Sequence, residues 1–400
     1  MKKSDNAYFE HGKCILRKIH QAGYEAYFVG GCVRDYILSL PLKDIDIATS
    51  ATPVELKEIF PHLIPIGIEH ETVLIRTEQM SFEISTYKTD KGNGCFKIDH
   101  ESRTLKEDVT YRDFTMNTLA MDLEMNIIDY YDGRKDIQSA CIRGVKSPVN
   151  RIKEDPLRIM RGIRFISMFG FSIEEKTSQG MKQCAHLLKD VAIERLLGEC
   201  EKIFAYEYCR KAIHQMIALN IDDYLPIFKE EPTLLRDVLP YIQPLHTFAE
   251  VIALMHIQAP HQSVNEWCRR WNCSNKTKKT AKKLVHTYNL MMERGMYDAY
   301  ALYTLGEDIP TFFRVLRILH PHDGITLDRY LKIKDQLPIH HRQDLALNGN
   351  DLMELFPTKR PGKWIEEMLS ILEYKVVIGE LSNDIKTMKE WIICNPLETN

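Results

Sequence analysis

Asp44 and Asp46, two aspartates separated by one residue, are the first place where this chain of 400 residues could do chemistry. On a strand, positions i and i+2 point to the same face, so both carboxylates project together while Ile45 and Ile47 turn to the core. Two adjacent carboxylates repel unless a cation sits between them. Oxygen ligands at this spacing suit Mg²⁺, which commonly bridges to substrate phosphates. Taken alone, the pair is better explained as two solvated aspartates on an exposed edge strand. The segment upstream changes the balance. In Gly30-Gly31-x-Val33-Arg34-Asp35, two glycines let the backbone approach a phosphate, and the helix that follows offers N–H donors at its positive end. Arg34 adds a planar fork suited to a phosphate.

A third group of residues begins at Glu154-Asp155-Pro156-Leu157-Arg158 and continues through Arg161 and Arg164. Read as one helix, it places Asp155, Arg158, Arg161 and Arg164 on one half and Ile159, Met160, Ile163 and Ile166 on the other, with Leu157 and Phe165 intruding on the charged side. A solvated charged face explains such a stripe. An acceptor beside a fork of donors is also the pattern that reads a base edge. An aspartate accepts from the exocyclic amino group that cytosine and adenine carry and uracil lacks.

These residues need elements to hold them. Tyr27-Phe28-Val29 reads as a strand ending at the glycines, Val33 to Leu40 as a helix, and Lys43 to Ala48 as a strand. Thr52-Pro53-Val54-Glu55 is a capping box that opens a helix to about Phe60. Thr72 to Arg76 and Phe82 to Tyr87 follow as strands. The polar stretch from Lys88 to Thr110, with Gly92-Asn93-Gly94, reads as a mobile loop. Asp132-Gly133 turns the chain after Ile127-Ile128. From about Lys146 strand alternation gives way to helical periodicity, broken at Gly170, Pro226, Pro240, Pro260, Pro321 and Pro357 to Pro361.

Composition narrows the class. Lys+Arg 53 against Asp+Glu 56 gives a net charge of −3, which excludes a wholly polybasic binder, and 44% hydrophobic with 27% charged residues is that of an ordinary globular protein. No stretch approaches the roughly 18 to 20 apolar residues of a membrane span. The polar start, Met1-Lys2-Lys3-Ser4-Asp5-Asn6, lacks an apolar signal core and predicts a cytoplasmic protein. The ten cysteines contain no CxxC pair, which reads as reduced thiols without a zinc site or disulfide frame. The fifteen histidines form no metal-binding spacing.

In order, Tyr27-Phe28-Val29-Gly30-Gly31-x-Val33-Arg34-Asp35, Asp44-x-Asp46, Arg112-Asp113-Phe114-Thr115-Met116-Asn117 and Glu154-Asp155-x-x-Arg158 with Arg161 and Arg164 resemble the class II tRNA nucleotidyltransferases. These are the bacterial CCA-adding enzymes, akin to bacterial poly(A) polymerases. The likeness continues in Glu194-Arg195-Leu196-Leu197-x-Glu199, Leu345-x-x-x-Gly349-x-Asp351-Leu352 and Arg360-Pro361-Gly362-Lys363-Trp364, so it covers most of the chain and looks like the Bacillus-type subgroup.

The resemblance implies an α+β fold: a polymerase-β-like nucleotidyltransferase head with a mixed sheet over residues 1–145, then a helical neck (146–205) for base recognition, a helical body (206–300) and a tail (301–400) that binds tRNA. It implies that CTP and ATP are joined to the tRNA 3′ end without a template, by two-metal chemistry with Mg²⁺. By position, Asp44 and Asp46 would be the catalytic metal ligands. Gly31, Arg34 and Arg112 would bind the nucleotide, Asp155 and Arg158 would read its base, and Arg161 and Arg164 would support that pocket or the triphosphate. No membrane partner is implied, and a monomer or a homodimer is compatible.

Three departures bear on the product. Tyr111 stands where the family usually has an arginine, Glu71 where relatives commonly have glycine, and the Lys88 to Thr110 segment lacks the usual paired arginines and proline. A CC-adding or A-adding enzyme or a poly(A) polymerase therefore stays open, as does a non-catalytic RNA-binding protein, against which the intact aspartate pair argues. A small-molecule nucleotidyltransferase would not need the long helical remainder. Arg269, Arg270, Lys276, Lys278, Lys279, Lys282 and Lys283, with Trp267 and Trp271 nearby, form a candidate RNA surface or, equally, a solvated lysine-rich helix.

Overall fold

The structure, a computed structural model, describes residues 3–42, 44–65, 72–76, 81–88 and 104–395. They separate into two compact units: residues 1–203 with 211–225, and residues 204–210 with 226–400. The first is a mixed sheet with helices around it; the second is helical.

The first unit opens with α1 (Lys3–Gln21), an amphipathic helix absent from the sequence expectations, with Phe9, Ile15, Leu16 and Ile19 buried along one side. There follow β1 (Ala26–Val29), α2 (Gly31–Ile37), β2 (Ile45–Thr49), α3 (Pro53–Ile59), β3 (Ile64–Pro65), β4 (Thr72–Arg76), β5 (Ser81–Thr86), α4 (Leu105–Thr110), β6 (Ala120–Met121), β7 (Ile127–Ile128), α5 (Gly133–Gln138) and β8 (Cys141–Ile142). Then come α6 (Pro148–Glu154), α7 (Leu157–Phe169), β9 (Ser172–Ile173), α8 (Glu175–Cys184) and α9 (Ile193–Ala205). The sheet runs β3-β4-β5-β2-β1-β6-β7. Its β2–β5 pair is parallel and the other pairs are antiparallel.

Local rules account for most boundaries. Thr52 accepts from the Glu55 N–H and Glu55 returns the bond, so α3 starts at Pro53 as the capping box dictates. The helix expected over Val33 to Leu40 is displaced toward its N-terminus. It starts directly on the glycines and stops at Ile37, and Ser39 has φ +55. The segment from Lys88 to Thr110 is not a loop throughout. Thr104 and Glu107 form a second capping box that opens α4, and Leu105 and Val109 pack on Val29, Ala48 and Ala120. Gly92-Asn93-Gly94 and Glu71 lie outside the described residues. Strand structure also persists past residue 146, because β9 pairs in parallel with β8.

On one sheet face α1 meets Phe28, whose ring is edge-on to Phe9 at 5.1 Å. Gly12 lies against the Phe28 ring, where a Cβ would collide with it. The helix thus sits close to the strand because Gly12 has no side chain.

The chain passes through α10 (Cys209–Ala218), which straddles the unit boundary. The second unit then holds α11 (Leu234–Val238), α12 (Phe248–Gln258), α13 (Val264–Arg270), α14 (Asn275–Arg294), α15 (Ala299–Leu305), α16 (Ile309–Leu319), α17 (Leu327–Asp335), α18 (Gly349–Leu355), α19 (Lys363–Val377) and α20 (Ile385–Cys394). Buried α12 carries a fully buried acid, Glu250, which caps its own helix through Thr247 and pairs with Arg314 at 2.5 Å. Trp267 and Trp271 are also fully buried, Trp271 edge-on to Phe228 and Phe248, so neither can stack on RNA. Arg269 and Arg270 pair with Glu266, Arg270 also with Glu230, and Lys283 with Asp308. Of the candidate RNA surface, Lys276, Lys279 and Lys282 remain exposed on α14, with Lys278 half-buried.

If α1 is part of the head's core, Phe28→Ala should cost about 3–5 kcal/mol of stability. Urea unfolding followed by circular dichroism measures it, and a loss below about 1 kcal/mol would show that α1 packs on the sheet without contributing.

Candidate active site

The first turn is held by a glycine outside the predicted set. Gly30 has φ +72, caps α2, and donates its N–H to the Leu119 carbonyl at 3.0 Å. A Cβ there would run into the Arg112 guanidinium, so this position needs glycine for conformation and for space. Gly31, the predicted residue, is the first of α2, and a Cβ on it would meet Arg34 Nη2 at an ordinary 3.7 Å.

Arg34 is buried and largely engaged. Its Nε and Nη2 reach Asp35 at 2.9 and 2.8 Å, its Nη1 donates to Asn117 at 2.6 Å, and its guanidinium lies over the Phe165 and Phe169 rings. Asn117 in turn donates to Asp113 at 2.8 Å, and Asp113 also accepts from the Phe114 N–H at 2.8 Å and from Arg161 at 2.7 Å. Burial alone would push the Asp113 carboxyl up. Arg161, Asn117 and the Phe114 N–H outweigh it and hold the group at about 2.

Asp46 is the second residue of β2, flanked by fully buried Ile45 and Ile47, as the alternation requires. Asp44 is exposed and lies just before the strand. Parallel pairing sets Asp46 opposite Glu83 of β5, a third carboxylate that the sequence reading missed. Period-two alternation within β5 would have put Glu83 on the Asp46 face once the pairing was known, and the pairing is what sequence does not display. Burial pushes the Asp46 carboxyl up to about 6, Asp44 and Glu83 push the same way, and Arg112 and Arg34 oppose them. Arg112 contacts Asp108 at 3.4 Å, and its buried Nε has no hydrogen-bond partner.

Among the described residues no three His, Cys, Asp or Glu side chains form a ready metal cage. Asp44 and Asp46 offer oxygen donors of the kind that hold a divalent cation together with waters and substrate phosphates. Carboxylate oxygens destabilised by one another fit such an ion.

The charged stripe is not one helix. Glu154 ends α6, and Asp155 is extended (φ −146, ψ 96) before Pro156, because a residue preceding proline is pushed out of the helical region. Its Oδ2 accepts from Arg195 at 3.0 Å. On α7, Arg158 donates Nη2 to the Tyr111 carbonyl at 2.6 Å, while its buried Nη1 has no hydrogen bond. Arg161 is held by Asp113. Arg164 lies 2.8 Å from Glu199 without hydrogen-bond alignment and over the Phe165 ring at 4.5 Å. Arg112 Nε is thus left buried without a hydrogen-bond partner, and Arg158 Nη1 makes no hydrogen bond but lies 3.7 Å from the Glu154 carboxylate.

Three family models match the chain: the poly(A) polymerase head domain over residues 26–143, a probable RNA- and SrmB-binding site of polymerase A over 170–231, and a putative tRNA nucleotidyltransferase domain 2 over 244–392. A CCA-adding enzyme of Oceanobacillus iheyensis is 38% identical over 96% of this chain and 97% of its own length. One from Bacillus cereus is 36% identical over 97% and 99%. Among solved structures, the Bacillus stearothermophilus CCA-adding enzyme in complex with CTP matches with a TM-score of 0.85 at 32% identity, covering 96% of each chain. The Thermotoga maritima CCA-adding enzyme complexed with tRNA shares the fold, with a TM-score of 0.60 at 22% identity.

A depressed carboxyl contributes stability above its ordinary range and loses it as pH falls toward its folded value. Asp113, ordinarily near 3.8 and held here at about 2, should contribute about 2 kcal/mol at neutral pH and lose it between about pH 4 and pH 2. Asp113→Asn should remove that part of the acid dependence. Urea midpoints of both proteins across that range measure it, and parallel curves would take Asp113 out of the acid transition.

Proposed function

The chain belongs to the CCA-adding enzymes, tRNA nucleotidyltransferases with a head of the poly(A) polymerase type, and on that premise we propose how its residues add CCA to the 3′ end of tRNA from CTP and ATP. The observation that carries the reading is the edge of β2, where Asp46, opposite Glu83 and next to Asp44, stands near an arginine with an unpaired Nε. Asp44 and Asp46, with Glu83 beside them, would hold divalent ions, Mg²⁺ by their all-oxygen donor set. Such ions supply charge neutralisation at the phosphates and a more acidic attacking hydroxyl, which is why the site needs no general base.

The 3′-hydroxyl of the tRNA attacks the α-phosphate in line and pyrophosphate leaves. Gly31 and the Gly30 turn admit the phosphates close to the backbone, and Arg112 meets their charge. Arg34, mostly committed to Asp35 and Asn117, fixes the turn more than it contacts the nucleotide. Asp155 and Arg158 read the base edge, with Arg158 Nη1, which makes no hydrogen bond within the protein, supplying the donor. Arg161 and Arg164 brace α7 through Asp113 and Glu199. In this reading residues 1–145 catalyse, 146–205 select the base, and 206–300 and 301–400 carry the tRNA. No described helix is long and apolar enough to cross a membrane, and we place the activity in the cytoplasm with its substrates.

The deciding experiment incubates tRNA ending at the discriminator base with Mg²⁺ and CTP, ATP or both, and reads product length on a sequencing gel. Three added residues, CCA, are expected. A stop at CC with ATP present would make this a CC-adding enzyme, and long adenosine tails a poly(A) polymerase. Asp44→Asn and Asp46→Asn should each lose at least ~10³-fold in addition with tRNA affinity nearly unchanged. Near-normal turnover in both would remove them from the metal site.

Arg158→Ala and Asp155→Ala should raise UTP and GTP incorporation relative to CTP by about 10- to 100-fold, the loss of one base contact. Wild-type selectivity with uniformly weak nucleotide binding would make the pair an electrostatic clamp.

A further inference from the structure

The turn between α13 and α14 closes with the six-to-one hydrogen bond of a Schellman cap. The Cys273 N–H donates to the Cys268 carbonyl at 2.8 Å, and Asn272, next to last in the cap, has φ +48. This motif brings the side chains of its first and last residues together, a contact usually made by an apolar pair. Here both are cysteines, and their thiols are hydrogen-bonded to each other. Cys268 is buried and Cys273 half-exposed, so one sulfur is open to a small oxidant while its partner waits behind it.

The surroundings favour the thiolate of Cys268, which fits the attacking group of a disulfide-closing step, over those of the other buried thiols. The hydrogen bond from Cys273 lowers the Cys268 thiol against the effect of burial, and Lys278 and Lys282 of α14 act the same way. Burial instead pushes Cys32 up to about 12 and Cys209 up to about 11. A thiol is reactive where positive groups favour its thiolate and inert where burial raises it.

We propose that Cys268 and Cys273 are a modification site, a dithiol that a peroxide converts to a reversible disulfide. In the first step the Cys273 sulfur attacks one peroxide oxygen, giving a sulfenic acid and water. In the second, Cys268 attacks the Cys273 sulfur, the S–S bond forms and the S–OH oxygen leaves as a second water. Two thiols have lost two electrons, the peroxide has gained them, and an external dithiol returns the pair to the reduced form. The bridge would span the cap alone, since both cysteines belong to it.

The test uses the full-length reduced protein. It is exposed to hydrogen peroxide, its remaining thiols are alkylated, and it is digested with trypsin without reductant. Trypsin cuts after Arg269 and Arg270, so the bridge joins two peptides and is read directly by mass spectrometry. The linked peptides should appear at least about tenfold faster than oxidation of the exposed single thiols Cys14 and Cys394, and dithiothreitol should abolish them. A second arm measures phenylarsine oxide, a probe that bridges two thiols and should protect Cys268 and Cys273 from alkylation together. The proposal is overturned if Cys14 or Cys394 oxidises first while both cap cysteines stay alkylatable. It is equally overturned if Cys273 runs on to sulfinic acid with Cys268 free.

Discussion

The buried carboxylate of Asp113 is the interaction on which the first unit depends. Three donors converge on it, and through Asn117 the chain of contacts runs on to Arg34 and Asp35. Buried Asp113 and Arg34 are thus linked with the partly exposed Arg161 and Asp35 in one network. Removing one member would strand the others, which is why such a network is costly to break and specifies one arrangement. Its members come from three places: the helix after the glycine turn, the 112–117 segment and α7. The turn that would meet phosphates and the helix that would meet the base are therefore positioned by the same contacts, and neither can shift alone.

Arg112 shows how this framework serves chemistry. It precedes Asp113 in the chain, so anchoring the aspartate also sets where the arginine's backbone lies. Its guanidinium extends toward Gly30, where any side chain would obstruct it, and its field reaches Asp46. The same positioning leaves its Nε buried without an acceptor. A buried donor without a partner is costly in the free protein and is satisfied when an anion arrives. Asp46 is the converse case, a carboxylate that burial, Asp44 and Glu83 all disfavour in its charged form.

What could be read from sequence was what local chemistry determines. The Thr52 box, the two strands after it and the Asp46 alternation follow from rules that act within a few residues, and the structure has them. The family order of motifs placed Arg112, Asp155 and Arg158 as candidates without saying what holds them. What stayed hidden depends on pairing at a distance. Glu83 looks like any exposed acid until β5 is set beside β2. Arg34 looks like a phosphate ligand until Asn117, far along the chain, takes one of its donors. Trp267 and Trp271 look like stacking platforms beside basic residues until α12 and its neighbours close over them. The α1 helix had its apolar spacing at Phe9, Ile15, Leu16 and Ile19, but Gly12 in that stripe reads as a helix weakness and is instead the contact point with Phe28.

Tyr111 illustrates why a departure from family pattern must be judged by atom. An arginine there would add a charge at the edge of the site, so tyrosine looks like a loss. Yet the contact that position 111 makes to α7 is through its backbone: Arg158 Nη2 is held by the Tyr111 carbonyl. Any residue supplies that carbonyl, provided the backbone is in the same place. It is kept there because α4 ends at Thr110 and Asp113 is fixed two residues later. The ring itself lies under the Arg151 guanidinium at 5.3 Å, and Arg151 also pairs with Glu154, the residue before Asp155. Tyrosine therefore exchanges a free cation for a ring that stacks on an existing one, next to the segment that carries Asp155. The hydrogen bond that orients Arg158 is indifferent to the exchange, so the substitution bears on the packing around Arg151.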